Sequence, residues 1–366
     1  MDECVAVLDE LVRLAAQERV DAVLVAGDSF EQRVPSPDAQ ELFFATLIGL
    51  HEAGAQVVII PGNHDSPALF RAFAPLLSRV GVRVVHEVKP PGQGGQVLVP
   101  SRDGRTSTVV ACVPFVPERR FGDAAALFEA SENWPQAYSA GMSELLRAMT
   151  ANFKPENVNV LMAHLFTDGA TLGGGEREIT IGADFAISPS RLPPTASYVA
   201  LGHVHLAQTV KGSAAPARYA GSLLQLDFGE TDQVKSVFVV ETEPGAPAKV
   251  RQVPLAAGRK LVSIRGRIED LIALAQPTGD AYLRVFVQTD GPVPGMGDRV
   301  REMLPNAVAV FLEYDRGEAE EASVPVLSLQ PRDQFLAYYR KAHLAEPHAS
   351  LVTAFEEVLE LERGSL

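Results

Sequence analysis

Val57-Val-Ile-Ile-Pro-Gly-Asn-His-Asp65 joins four consecutive β-branched aliphatic residues to a turn that carries an amide, an imidazole and a carboxylate. A short and continuously apolar run is typical of a strand that is buried on both faces of a parallel sheet. The Pro-Gly pair predicts the end of that strand. The polar side chains that follow therefore leave the sheet at the carboxyl end of a strand, where open α/β sheets bind their ligands.

Three other apolar runs end in the same way. Residues 21–27 lead into Asp28, residues 158–163 lead into His164, and residues 198–201 lead into Gly202-His-Val-His205. A lone Asp after Gly is usually a turn or a helix cap, and a lone His is usually a satisfied core or surface residue. Those ordinary roles do not explain why polar residues follow all four runs, each expected to be a buried strand. The shared position predicts that these side chains converge on one site.

The chemistry of this set favours a pair of divalent metal ions. Carboxylate, amide and imidazole ligands without a thiolate suit Mn, Fe, Zn or Mg. A single Asp can bridge two ions about 3.5–4 Å apart, and such a pair activates water and offsets the charge on phosphate oxygens. A neighbouring His that is not a ligand can protonate the leaving oxygen.

Length and composition limit the protein class. The chain has 366 residues and a formal net charge of −14, which suggests two domains or one large domain with a small addition. The acidic balance argues against a generic nucleic-acid coat, but it allows a nuclease whose metal ions supply positive charge locally. The sequence has no apolar stretch of about 20 residues and no basic leader, so we expect no membrane span and no signal peptide. Two cysteines make no disulfide framework, and we expect a cytoplasmic protein.

The pattern of helices and strands predicts an α/β protein in three parts. Residues 1–255 alternate helices with apolar strands, and 243–247 read as the turn of a hairpin. Residues 259–320 form a small α/β domain, with strands at 261–264, 282–288 and 308–312 and helices at 268–275 and 298–304. Residues 324–366 form a tail with two helices, around 333–341 and 349–361.

The motifs resemble the calcineurin-like metallophosphoesterase superfamily. Gly27-Asp28, Gly62-Asn-His-Asp-Ser66 and Gly202-His-Val-His205 match its signature segments. The segment at 220–230, which contains Gly-Ser-Leu and Asp-Phe-Gly-Glu, is similar more narrowly to the SbcD family of nuclease subunits. The resemblance covers nearly the whole chain, and it implies a layered α–β–β–α sandwich with a small cap domain and a helical tail.

The resemblance also implies roles for individual residues. Asp28 should bridge two divalent ions, with Mn²⁺ as the expected metal. Asn63, His164 and His203 should complete one metal site, and His205 should serve the other. His64 should act as the acid for the transition state or the leaving group rather than as a ligand.

The same resemblance implies partners. The cap should contact DNA, and the chain should be the Mn-dependent exonuclease or endonuclease of a DNA repair and recombination complex with an SbcC-like ATPase. Members of the SbcD family are usually dimeric, so a homodimer is expected. The tail should dock on the ATPase through its apolar residues, although ordinary packing against the parent domain is the alternative. These residues are Phe335, Leu336, Tyr339, Leu351, Phe355 and Leu359.

One motif of the superfamily, Asp-x-His, is absent before Asp28. We therefore expect an upstream segment that carries a central strand and two further ligands, and we expect weak or no nuclease activity from the 366 residues alone. Loss of that strand should expose an apolar sheet edge. Two alternatives stay open, namely a general phosphoesterase for a small molecule or a phosphoprotein, and a scaffold subunit without catalytic activity.

Overall fold

The computed structural model describes residues 1–117, 138–174, 186–314, 331–343 and 347–364. These ranges contain eight α-helices, a two-stranded hairpin and three larger sheets. None of the described helices has both the length and the apolar character needed to cross a lipid bilayer. The predicted end of the small α/β domain at residue 320 and the predicted start of the tail at residue 324 lie outside the described residues.

The first sheet consists of three parallel strands in the order β1-β2-β3. Three helices accompany it in the chain, and the elements are β1 (Ala22–Ala26), β2 (Gln56–Ile60), β3 (Val82–Val84), α1 (Asp2–Glu18), α2 (Pro37–Glu52) and α3 (Pro67–Leu77). A serine directly before a proline is a sequence signal for a helix start. Ser36 accepts a hydrogen bond from the Ala39 N–H and so caps α2 directly before Pro37. The expectation of a buried strand is wrong for β1, because all five of its residues are partly exposed, and in the part of the chain that the structure describes it is an edge strand.

The second sheet has six strands in the order β4-β5-β6-β7-β9-β8. Its elements, with the helix that precedes β6, are β4 (Gln96–Pro100), β5 (Ser107–Val113), α4 (Tyr138–Thr150), β6 (Val158–His164), β7 (Tyr198–Gly202), β8 (Gln208–Thr209) and β9 (Ala217–Tyr219). Strands β5, β6, β7 and β9 run parallel. All seven residues of β6 are buried, as its apolar sequence predicts.

The first and second sheets pack face to face, as the alternating directions of the side chains along β2 show. Val57 and Ile59 join the apolar cluster under the helices of the first sheet. Val58 and Ile60 point to the other face and join a cluster with Met162 of the second sheet. Helix α4 covers the far face of the second sheet with Met142, Leu145 and Met149 among its buried residues. The predicted α–β–β–α sandwich is confirmed.

A hairpin and a third sheet follow. The hairpin strands are β10 (Ser236–Glu241) and β11 (Lys249–Pro254), antiparallel as predicted. The third sheet is parallel and contains β12 (Leu261–Gly266), β13 (Tyr282–Gln288) and β14 (Ala307–Glu313), with helices α5 (Leu271–Ala275) and α6 (Met296–Met303). Carboxylates of α1 hold the connecting segment, because Glu10 accepts from the Ala256 and Ala257 N–H groups and Glu3 accepts from the Arg259 N–H.

The described tail contains α7 (Pro331–His343) and α8 (Ala349–Gly364), close to the two helices that the sequence predicts. The helices contact each other through the stacked rings of Phe335 and Phe355, whose centroids lie 4.3 Å apart. An ion pair between Arg332 Nε and Glu356 Oε1, 2.6 Å apart, joins them at the surface.

Candidate metal centre

The strand ends bring four of the predicted side chains together. Ala26 lies opposite Ile60 in the first sheet, and His164 lies opposite Gly202 in the second. Each pair of strands therefore stops at one level, and the segments that follow carry Asp28 and Asn63 from one sheet and His203 from the other. The site forms where the carboxyl ends of the parallel strands of two packed sheets face each other.

The backbone at this edge adopts conformations that side chains rarely tolerate. Asp28 has a φ of 53° and His203 has a φ of 106°, both in the left-handed region. Each such residue costs on the order of 1–3 kcal/mol and persists only where its surroundings enforce it. Gly62 is required by space, because a Cβ there would overlap the Asp28 carboxylate and lie 2.5 Å from the Asp28 backbone nitrogen.

His164 is the most enclosed member, with no exposed side-chain surface. Its Nδ1 lies 2.7 Å from the Ala26 carbonyl oxygen. Because a carbonyl can only accept, Nδ1 carries a proton, and Nε2 faces the other candidate ligands. Nε2 lies 3.2 Å from Asp28 Oδ2 and 2.9 Å from Asn63 Oδ1.

Asn63 and His203 complete the cluster. Asn63 Oδ1 lies 2.9 Å from His203 Nδ1, and that nitrogen is 3.3 Å from His164 Nε2. One ligand atom from each of Asp28, His164 and His203 lies within 4.8 Å of the others, the only such group of three or more acidic, His or Cys residues in the described ranges. Carboxylate, amide and imidazole atoms this close, with His164 Nδ1–H turned outward, fit one divalent cation.

The charges of the cluster are coupled. Burial raises the pKa of Asp28, but the His164 imidazole and the His64 backbone N–H outweigh that effect and hold this pKa well below its usual range. Burial lowers the pKa of His164, but the Asp28 carboxylate outweighs it, and the pKa lies above its ordinary value. The carboxylate is therefore ionised at neutral pH and ready to bind a cation.

Asp65 has a role that its place in the sequence did not reveal. Its carboxylate is 1% exposed and accepts from three backbone N–H groups, those of Gly62, Ser29 and Phe30, at 2.9, 3.2 and 3.0 Å. It thereby ties the loop after β1 to the loop after β2. Burial raises the pKa of this carboxyl, although the Gly62 N–H opposes the shift. The only hint in the sequence that Asp65 belongs to the site is its position directly after Asn63-His64, and this position does not indicate which groups it binds.

His64 stands beside this cluster rather than in it. Its backbone N–H donates to Asp28 Oδ1 at 2.9 Å, which fixes the residue next to the carboxylate. Its ring Nδ1 lies 3.0 Å from the Glu31 carbonyl oxygen, so Nδ1 donates and the opposite ring nitrogen is Nε2. Nε2 is therefore the nitrogen left for proton exchange, and it has a proton to give when the ring is the imidazolium. The role of His64 as an acid stays a prediction.

His205 lies outside the group formed by Asp28, His164 and His203. Its Nδ1 is instead 3.1 Å from Oε1 of Glu230, a residue with no exposed surface. Sequence reasoning placed Glu230 in a characteristic segment but assigned it no contact. Nothing in the spacing of residues 205 and 230 indicates that they meet.

Two aromatic rings lie at the border of the site, and the sequence analysis did not identify either of them. Phe115 follows β5 and lies nearly parallel to the His203 ring, with centroids 6.5 Å apart, and edge-on to His164 at 6.1 Å. Phe166 lies 6.3 Å from His203. The available signal for Phe115 was its position after an apolar run, 107–113, that ends level with β6.

The predicted docking residues of the tail are placed on α7 and α8. Phe335, Leu336, Tyr339, Phe355 and Leu359 are partly buried, and Leu351 is exposed. Phe335 contacts Phe355 and lies 6.0 Å from Tyr339, so part of this apolar surface joins the two helices to each other. A docking role for the remainder stays a prediction.

Comparison with known proteins gives matches along almost the whole chain. The model of the calcineurin-like phosphoesterase family matches residues 2–207, and the model described as the type 5 capsule protein repressor C-terminal domain matches residues 257–343. The SbcD component of the nuclease SbcCD from Bacillus subtilis (strain 168) is 31% identical over 365 residues, covering 98% of this chain and 92% of the relative. The SbcD components of the same nuclease from Rhodobacter capsulatus and Escherichia coli (strain K12) are 30% and 29% identical, covering 87% and 78% of this chain and 84% and 72% of the relatives.

Proposed function

The chain belongs to the calcineurin-like phosphoesterase family, and on that premise we propose that it is the metal-dependent nuclease subunit of an SbcC–SbcD-type complex. It hydrolyses phosphodiester bonds at DNA ends or hairpins. The observation that carries this proposal is the convergence of Asp28, Asn63, His164 and His203 at the facing ends of two sheets. Similarity to curated nuclease subunits over most of the chain supports the substrate.

Divalent ions are the cofactors of this family, and we propose Mn²⁺ for this site. Asp28 Oδ2, Asn63 Oδ1, His164 Nε2 and His203 Nδ1 would hold one ion, and the donor set of oxygen and imidazole atoms suits Mn²⁺. Asp28 and His205 would contribute to a second. When bound, such ions activate water and offset the charge that develops on phosphate oxygens.

The residues of the chain provide position and protons. The Ala26 carbonyl orients His164, and the His64 N–H orients the Asp28 carboxylate. His64 Nδ1 is bonded to the Glu31 carbonyl, so in the imidazolium form its Nε2–H would give the proton to the leaving oxygen and leave a neutral ring protonated on Nδ1. Phe115 covers one side of the imidazoles and limits the access of bulk water to them.

In this proposal the tail and the third sheet bind the partners. Helices α7 and α8 would bind an SbcC-like ATPase, which gates access of DNA, and the third sheet would contact DNA as a cap. We also propose a homodimer in the cytoplasm. Both cysteines are free thiols, Cys4 partly exposed and Cys112 buried, which accords with a reducing compartment.

Metal binding comes first in the test. Elemental analysis and a Mn²⁺ titration of the full chain should give one tightly bound ion, and Asp28→Ala should abolish binding. The matched control is Asp298→Asn, an aspartate with an 86% exposed side chain in α6, which should bind as the wild type does. Undiminished Mn²⁺ content in the Asp28 variant would refute the proposed site.

Activity is then measured on hairpin DNA and on a model phosphodiester, bis(p-nitrophenyl) phosphate, with and without the ATPase from the same genome. The chain is compared with a version extended at its amino end by a strand carrying Asp-x-His. We expect weak or no cleavage by the 366 residues and cleavage of hairpin DNA by the extended protein. An extended protein that binds two Mn²⁺ ions and leaves DNA intact beside its ATPase contradicts the nuclease function. Cleavage of the model diester alone would indicate a general phosphoesterase, and ATPase binding without any cleavage would indicate a scaffold.

A further inference from the structure

Glu230 is a fully buried carboxylate to which none of the family motifs assigns a role. Its Oε1 lies 3.1 Å from His205 Nδ1. Its Oε2 accepts from the Leu226 N–H at 2.8 Å and lies 3.0 Å from Lys235 Nζ. Both oxygens are therefore engaged, which makes Glu230 a poor candidate for a metal ligand and leaves its contact with His205 to be explained.

We propose that Glu230 is a positioning residue that sets the tautomer and the orientation of His205. A carboxylate can only accept, so His205 Nδ1 carries the proton and Nε2 keeps its lone pair for a cation. Carboxylates that hold metal-binding histidines in this way raise the basicity of the ligand and fix its ring. The inference rests on the proposed function, since it takes His205 as a ligand of the second ion.

The main chain of His205 is held by the same segment. Its carbonyl oxygen accepts from the Ser222 N–H at 3.0 Å and from Lys235 Nζ at 3.2 Å. Gly221 allows this approach, because it has a φ of 81° and a Cβ there would lie 2.8 Å from the His205 carbonyl oxygen. Lys235 therefore bonds both to the carboxylate that holds the ring and to the backbone that bears it.

The segment is itself anchored to the third sheet. Gln225 Nε2 donates to the Glu230 carbonyl at 3.0 Å, and Gln225 Oε1 accepts from the Leu261 N–H at 2.8 Å. The guanidinium carbon of Arg284 lies 4.8 Å from the centre of the Phe228 ring. These contacts at both ends leave Glu230 little freedom to turn away from His205.

The effect of Glu230→Gln can be predicted because the two carboxylate oxygens of Glu230 contact different partners. The Oε2 position faces two donors, the Leu226 N–H and the Lys235 ammonium, so the amide oxygen should take that position. The amide nitrogen then faces His205 Nδ1 and donates to it. That reverses the tautomer, places the ring proton on Nε2 and removes the lone pair that a cation needs.

The tautomer is measured on the full chain without metal, by ¹⁵N NMR with labelled histidine, and His205→Gln identifies the resonances. In the wild type we expect the proton on Nδ1, and in Glu230→Gln on Nε2. In Mn²⁺ titrations the weaker of two sites should lose about 10–100-fold in affinity, the usual effect of removing a partner of a metal ligand. The tighter site, which lacks His205, should keep its affinity.

Two further variants separate positioning from general damage to the fold. Lys235→Met should keep the proton on Nδ1, because the bond from Glu230 to His205 remains. Glu144→Gln is the matched control at a surface carboxylate paired with Arg147, and it should behave as the wild type does. Thermal unfolding of every variant is followed in parallel.

The proposal is overturned if Glu230→Gln is folded and keeps the wild-type tautomer. It is also overturned if Lys235→Met shifts the tautomer as strongly as Glu230→Gln does, since the network would then act as a whole. If Glu230→Gln does not fold, a wild-type His205 that carries its proton on Nε2 still refutes the idea. Because the tautomer is read without metal or DNA, its failure is distinct from failure of the nuclease assay.

Discussion

Gly62→Ala should damage the metal centre by adding a single methyl group. The new Cβ would overlap Asp28 Oδ1 and lie 2.5 Å from the Asp28 nitrogen and 2.6 Å from His164 Cε1. Two of these neighbours are backbone or ring atoms in a packed site, so relief requires the loop after β1 to move. Overpacking of this kind costs about 1–3 kcal/mol of stability, and the displaced carboxylate loses its bond from the His64 N–H.

The expected effects are measurable in two assays. The midpoint of thermal unfolding should fall by roughly 2–4 °C for each kcal/mol lost. If a similar strain falls on the metal-bound state, Mn²⁺ affinity drops by about 5–150-fold, since 1.4 kcal/mol is tenfold in an equilibrium constant. Calorimetric titration with Mn²⁺ measures the affinity directly.

Gly92→Ala is the matched control. Among the described residues, no heavy atom lies within 4 Å of a Cβ at Gly92, and the φ of Gly92 is not positive. The control should therefore keep full Mn²⁺ affinity and gain up to about 1 kcal/mol from the stiffer unfolded chain. Equal Mn²⁺ affinity in Gly62→Ala and Gly92→Ala would show that the close approach of Gly62 to Asp28 has no part in binding.

The remaining predictions concern the proton donor and the tail. His64→Ala should keep its Mn²⁺ content, and in the extended protein that carries Asp-x-His it should slow DNA cleavage by about 10²–10⁴-fold, because only proton transfer is lost. The control is His51→Ala, at an exposed histidine. Equal turnover in both variants would remove His64 from the mechanism. Removing residues 331–366 should leave Mn²⁺ binding intact and abolish association with the ATPase. Recovery of the ATPase in a pull-down with the shortened chain would place docking elsewhere.

The sequence alone was sufficient for the local parts of the fold. The apolar runs that become β2 and β6 identified buried strands, and Ser36 before a proline identified a helix start, because these signals lie within a few adjacent residues. β1 departed from the expectation. Its run is apolar like the others, but exposure depends on whether a neighbouring strand covers it, and a strand's own residues do not carry that information.

For the candidate metal site, too, the sequence determined the local features and not the contacts between distant residues. The sequence determined which chemical groups stand at the strand ends, because Asp28, Asn63, His164 and His203 each follow a recognisable run. It could not determine which atoms meet. The Ala26 carbonyl sets the ring of His164 across 138 positions of the chain, so that contact exists only once both sheets are packed.

Only the tertiary structure revealed the residues that hold the ligands. Asp65 binds N–H groups 35 and 36 positions away, and Glu230 meets His205 across 25 positions. Such contacts form because folding closes long loops and buries carboxylates that must then find donors. A motif can carry the donor atoms of a metal site, but the partners that orient those atoms are selected by proximity in space.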